Sequence, residues 1–199
     1  MTRKHAALGG RPPATSHAEI EAAAFALFAQ RGFDATTMED IAHAVGVGRR
    51  TLFRYFPSKN DIPWGQFDDS LELLRNVLNQ KPAELTLFDG IQRGIIEFNR
   101  LDPSAIPQHR ARMTLILRTP ALQAHSALKY AQWRAVIADF AAERLSVPSG
   151  SLVPTTIGRA SLALAISAYE MWLDDDSLAL EVLLVQGGQA LRTFTGERP

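Results

Sequence analysis

Residues 35–61 limit the fold of this chain more than any other stretch, because they read as two short helices joined by a glycine turn. Thr37 precedes an apolar stripe of Ile41, Ala42 and Val45, and Asp40 stands at the spacing of a reciprocal capping box. Gly46-Val47-Gly48 supplies a turn free of Cβ strain. A second short helix over 49–55 follows, and Pro57 ends it. Ile41, Val47, Leu52 and Phe56 have the spacing to form a small core that fixes the angle between the helices. A helix so braced fits the major groove of duplex DNA. Arg49, Arg50, Thr51 and Arg54 then face outward, and arginine can pair bidentately with guanine, each pair worth about 1–3 kcal/mol of discrimination. Thr37 and Lys59 are expected at helix N-termini, where amides and positive charge suit phosphate oxygens. Tyr55 is expected to add a hydroxyl to the same backbone.

The remaining segments also read as helical. Ser16 and Glu19 form a second capping-box pattern ahead of Ile20, Ala23, Ala24, Leu27 and Phe28, and Gly32 supplies the stop. A fourth helix is expected over 59–80, capped by Ser58, with Pro63 in its first turns. Further helices are expected over 86–101, 109–118, from Pro120 to 145, over 155–173 and over 177–194, with a short segment opened by Asp102-Pro103. No period-2 strand pattern of useful length occurs. The expected fold is all-α: a flexible arm over 1–15, a three-helix helix-turn-helix DNA-binding domain over 16–60, and a helical ligand-binding and dimerisation domain over 61–199.

Charge and composition narrow the function classes. Lysine plus arginine balance aspartate plus glutamate at 21 each, but residues 1–60 hold eight basic and five acidic residues, a net +3 that the remainder cancels. The chain has no cysteine, which removes disulfides and thiolate chemistry and agrees with a cytoplasmic location. No membrane span and no secretory signal are expected. There is no nucleophile elbow, glycine-rich phosphate loop or metal-spaced cluster, so neither an enzyme nor a metal site is expected. Asp174-Asp175-Asp176 reads as helix capping rather than a cation site. The rival reading is a helical adaptor that touches no DNA; it would not need an outward Arg49, Arg50, Arg54 and Lys59.

Phe33-Asp34-Ala35-Thr36-Thr37-Met38-Glu39-Asp40-Ile41-Ala42, then Ala44-Val45-Gly46-Val47-Gly48, then Thr51-Leu52-Phe53-Arg54-Tyr55-Phe56-Pro57-Ser58-Lys59-Asn60-Asp61 together resemble the TetR-family helix-turn-helix. The resemblance implies that Thr36 and Thr37 contact phosphate, that Arg49, Arg50 and Thr51 read bases, and that Tyr55 and Lys59 contact the DNA backbone. Gly48 departs from the family's frequent serine or threonine cap, and Phe53 from its frequent tyrosine. Gly10-Arg11-Pro12-Pro13, Pro63-Trp64-Gly65 and Pro120-Ala121-Leu122-Gln123 extend the likeness to the mycofactocin-system regulators of that family. This narrower resemblance implies a hydrophobic or acyl-CoA-like effector and no other cofactor. The partners implied are an operator in double-stranded DNA, a second copy of the chain and the effector, with repression relieved when the effector binds.

In the C-terminal part, the segment over 155–173 is apolar around most of its circumference. Leu162, Ile166 and Tyr169, with Leu183, Leu184, Gly187 and Leu191 of the last helix, are the candidate dimer interface, the alternative being the core of a single subunit. Phe98, Met113, Leu117, Tyr130 and Trp133 are the candidate pocket lining, the alternative being plain core, which such a stripe more often forms. Arg110, Arg112, Arg118 and Arg134 cluster on the same helices, where they can meet an anionic ligand group or equally be solvated or paired with acidic neighbours.

Overall fold

A computed structural model of the 199-residue chain describes residues 15–80 and 84–196, and every regular element among them is helical. The chain forms two compact units that divide after Gly65. The expected arm falls almost wholly outside the described residues. Thr15, its last residue, is buried and ordered by two bonds, donating to Glu19 Oε2 (3.1 Å) and accepting from Tyr55 at its carbonyl.

In the first unit α1 spans His17–Arg31, α2 Met38–Ala44 and α3 Arg49–Tyr55. Each start follows from local chemistry. Ser16 accepts from the Glu19 amide while Glu19 reaches back, and Thr37 and Asp40 do the same for α2. Gly32 and Gly46 close α1 and the inter-helix turn at φ +84° and +68°, where a Cβ would be strained. Gly48 caps α3 with no side-chain bond. Ile20, Ala24, Ile41, Leu52, Phe56 and Ile62 are essentially inaccessible and lock the three helices together, whereas Val47 is only half-buried.

The expected fourth helix over 59–80 is two elements. Lys59–Trp64 is a 3-10 turn, Gly65 follows at φ +56°, and α4 runs only over Phe67–Asn79. Pro63 cannot supply the amide a continuous helix requires, and the Gly65 backbone leaves the right-handed region. Ser58 caps through no side-chain bond; its hydroxyl donates to Asp61 Oδ2 at 2.7 Å.

The second unit holds α4, α5 (Leu87–Phe98), α6 (Ile106–Arg118), α7 (Pro120–Leu145), α8 (Leu152–Asp174) and α9 (Leu180–Thr195). α8 begins before Pro154, which occupies its first turn, where a missing amide costs nothing. α7 packs along α8, α8 along α9, and α4 against α5 and α7. Leu74, Leu78, Ile95, Leu122, Ile137 and Leu184 form the buried centre. Glycines set the closest crossings. A Cβ on Gly158 of α8 would stand 2.5 Å from the Arg134 carbonyl oxygen of α7.

Candidate nucleic-acid interface and C-terminal sites

The outward face of α3 carries the charge expected of it, with one qualification. Arg50 and Arg54 are exposed one turn apart, and among the described residues neither guanidinium has a hydrogen-bond or ion-pair partner. Arg49 is exposed but engaged: its Nη1 lies 2.6 Å from Glu39 Oε1 of α2, and its guanidinium carbon stands 5.3 Å from the Phe53 ring centre. Thr51 is half-buried beside them. The ion pair joins the bracing helix to the reading helix, a relationship that depends on the angle between them and has no local signature.

Four expected backbone contacts are differently employed. Thr36 is fully buried, and its hydroxyl donates to the Gly32 carbonyl at 2.8 Å. It closes the turn after α1 and offers DNA no side-chain group. Thr37 is exposed, but its hydroxyl donates to Asp40 Oδ2 (2.7 Å) and accepts from the Asp40 amide (3.1 Å). These bonds from the Thr37 side chain and backbone hold the Asp40 carboxyl below its ordinary range. The Tyr55 hydroxyl donates to the Thr15 carbonyl at 2.7 Å, and His17 packs edge-on against the Tyr55 ring at 4.9 Å. Lys59 spends all three donors inside the protein, on the carbonyls of Phe33 (2.7 Å), Asp34 (3.3 Å) and Thr36 (2.8 Å). Tyr55 and Lys59 therefore tie together the scaffold that presents α3, because their partners lie 40 and 23–26 residues away in sequence.

The expected dimer residues are also redistributed. Tyr169, Leu183 and Leu184 are buried within one chain, and Leu162, Ile166 and Leu191 are half-buried. Gly187 faces Leu164 of α8 at 3.2 Å from an added Cβ, so it serves packing inside the unit. The outer face of α8 and α9 is offset by about one residue. It carries Ala163, Ser167 and Met171, then Val182, Val185 and Gln189, with Met171 and Val182 more than half exposed.

Of the expected pocket residues, Trp133 is buried and Phe98, Met113, Leu117 and Tyr130 are half-buried, and none of the five lines either of two clefts that open on this unit. The larger, about 550 Å³, opens between the end of α5, the start of α6 and the α8–α9 connection. Its walls include Leu101, Ile106, Leu178 and Leu180 above the buried Trp172. Arg110 stands over the Trp172 ring at 4.2 Å, donates to the Trp172 carbonyl at 2.6 Å and pairs with Asp176 at 2.8 Å. Asp174 pairs with Arg118, and Asp175 accepts from the amide and hydroxyl of Ser177, which lowers its pKa. The three acids thus point three ways. Among the described residues no cluster of histidine, aspartate and glutamate could hold a metal ion, and no helix is long and apolar enough to cross a membrane.

From Asn99 in the cleft wall a polar chain runs through the buried Tyr169 to the half-buried His109. Tyr169 donates its only hydroxyl proton to Asn99 Oδ1 at 2.7 Å, so His109 Nε2, 2.8 Å away, must donate to Tyr169. This fixes the Nε2-protonated tautomer. Burial, with the nearby charge of Arg112 second, pushes the His109 pKa down to about 4.

Comparison with known proteins agrees with both units. Residues 20–62 match the model described as bacterial regulatory proteins, tetR family, and residues 85–195 match the MftR C-terminal domain. The chain is 43% identical over 176 residues to a protein of Mycobacterium tuberculosis named as the mycofactocin biosynthesis transcriptional regulator MftR, covering 88% of this chain and 89% of that one. It is 34% identical over 110 residues to the HTH-type transcriptional regulator TcmR of Streptomyces glaucescens, covering 51% of this chain and 47% of that one. A TetR-family regulator from Syntrophomonas wolfei superposes with TM-score 0.66 at 15% identity over 89% of this chain and 93% of its own. The fatty acid degradation regulator FadR from Bacillus halodurans gives 0.63 at 17% identity over 88% and 97%. The chain belongs to the TetR family of bacterial transcriptional regulators, with a C-terminal domain of the MftR type, and is not an enzyme.

Proposed function

We propose that this regulator is a repressor that binds a palindromic operator as a homodimer and leaves it when a hydrophobic or acyl-CoA-like effector occupies the C-terminal unit. The observation that carries the DNA side is the pair Arg50 and Arg54. Two exposed guanidinium groups on one face of a braced helix keep their donors for an outside acceptor. A palindrome needs two such heads about 34–36 Å apart, or a multiple of that distance. The outer face of α8 and α9, with Ala163, Ser167, Val182 and Val185, is the surface proposed to pair two copies. Its small and aliphatic side chains support close helix packing.

The effector is proposed to enter the cleft above Trp172. Apolar walls suit a hydrocarbon chain, and Arg100 and Arg110 at its edge, paired with Glu181 and Asp176, would exchange those carboxylates for an acidic group of the effector. For release, the effector must favour the DNA-incompetent state by about 1–3 kcal/mol, a 5–150-fold loss of operator affinity. The test titrates palmitoyl-CoA into a complex of the protein with its own promoter fragment, followed by fluorescence anisotropy. Release in that range supports the reading, and an unchanged or tightened complex contradicts it. Val185→Asp should give monomers by light scattering, and a persistent dimer would place the interface elsewhere.

A further inference from the structure

A second cleft, of about 330 Å³, lies between α7 and the start of α8, away from the cleft above Trp172. Gly158 sets its shape. Without a Cβ, the α8 backbone rests against the Arg134 carbonyl of α7, and Ala138 packs against the same point at 3.5 Å from an added Cβ. This contact fixes Arg134 on one helix and Arg159, next to Gly158, on the other as two walls of one cleft. Among the described residues neither guanidinium has a hydrogen-bond or ion-pair partner. That contrasts with Arg100, Arg110 and Arg118, each paired with a carboxylate. Asp139, which also lines the cleft, takes neither arginine as a partner. Ser149 and Thr155 also line the cleft.

The geometry points to a binding site for a phosphorylated polyhydroxy compound, of the size of a sugar phosphate. Two guanidiniums with free forks match a phosphate, which takes parallel N–H···O bonds from each. The cleft stays net positive because the two arginines outnumber Asp139. The exposed carboxylate of Asp139 only accepts hydrogen bonds, and a sugar hydroxyl is a donor that suits it. The volume is at the lower end of small-molecule sites and the lining is largely polar or small, which suits a compact polar ligand rather than the effector proposed above. The inference does not depend on the DNA or effector reading.

The test is calorimetry on the full chain with three probes: inorganic phosphate, glucose 6-phosphate and glucose. The background carries Arg50→Ala and Arg54→Ala, so that anions do not collect on α3. Glucose 6-phosphate should saturate one site per chain and bind at least tenfold tighter than inorganic phosphate, and glucose should not bind. Arg134→Gln with Arg159→Gln should abolish binding of both phosphates. Asp139→Ala, which removes the acceptor, should bring glucose 6-phosphate to the level of inorganic phosphate. Arg75→Gln, on the surface of α4, should change nothing, and circular dichroism should report an unaltered fold in every variant. Absence of saturable binding, equal affinity for the two phosphates, or undiminished binding in the double arginine variant would overturn the assignment.

Discussion

The Lys59 ammonium lies 4.4 Å from the centre of the Phe33 ring and 2.7 Å from the Phe33 carbonyl oxygen, so one lysine engages both the side chain and the backbone of the turn between α1 and α2. With the Asp34 and Thr36 carbonyls it completes a three-way clamp. Hydrogen bonds to a charged donor are worth more than neutral ones, about 1.5–3 kcal/mol. Lys59→Ala should therefore lower hydrogen-exchange protection across residues 33–42, by about 2 kcal/mol of opening free energy. The salt dependence of DNA binding should keep its slope. A slope reduced by about one, with protection intact, would return Lys59 to the phosphate-contacting role.

Glu39 restrains Arg49 at 2.6 Å on an exposed surface, where such a pair contributes little stability but places a negative charge on the reading face. Glu39→Ala should tighten binding to random and cognate duplexes alike, and steepen the salt dependence by about one phosphate contact. Anisotropy titrations at several salt concentrations measure both. Unchanged affinity and slope would show that DNA displaces Glu39 at no cost.

His109 supplies a pH prediction. Its ordinary pKa is 6.5, and in the fold it falls to about 4, so below 6.5 the unfolded chain takes up a proton that the folded chain refuses. Stability contributed by neutral His109 is complete above pH 6.5 and is lost as pH falls toward 4, at about 1.4 kcal/mol per pH unit at most. His109→Gln, which keeps a donor to Tyr169 but cannot titrate, should flatten that part of the stability profile. Urea unfolding at pH 7.5, 6 and 5 decides it, and an equally steep profile in the variant would assign the loss to other groups.

The crossing of α7 and α8 tolerates no side chain at Gly158, because the obstruction is backbone rather than a flexible tip. Gly158→Ala should force the helices apart and destabilise the chain by about 1–3 kcal/mol. Gly150→Ala, which meets nothing within 4 Å, should stay within about 0.5 kcal/mol. Thermal unfolding of the two variants side by side checks this, and equal midpoints would contradict the crossing.

The parts legible in the sequence were those whose causes lie three or four residues apart. The capping boxes of Ser16–Glu19 and Thr37–Asp40, the Gly32 stop, the Gly46 turn and the outward Arg50 and Arg54 are local patterns. Pro63 and Gly65 were visible too, but together they break the segment over 59–80 rather than merely starting it. What stayed hidden depends on distant partners. Tyr55 and Lys59 look like surface donors until the carbonyls of Thr15, Phe33 and Thr36 come beside them. On α8 and α9 an apolar pattern running round the helix cannot say which residues face inward, so Tyr169, Leu183 and Leu184 proved buried while Ala163 and Val185 lie outside.

The central claim, that Arg50 and Arg54 read an operator for a paired molecule, meets its most direct test in selection from a pool of randomised duplexes. The account predicts enrichment of one inverted repeat, with half-site centres about 10–10.5 base pairs apart or a multiple of that, and loss of the motif with Arg50→Ala and Arg54→Ala while weak general binding persists. No enriched motif, or the same motif recovered with both arginines removed, would contradict it.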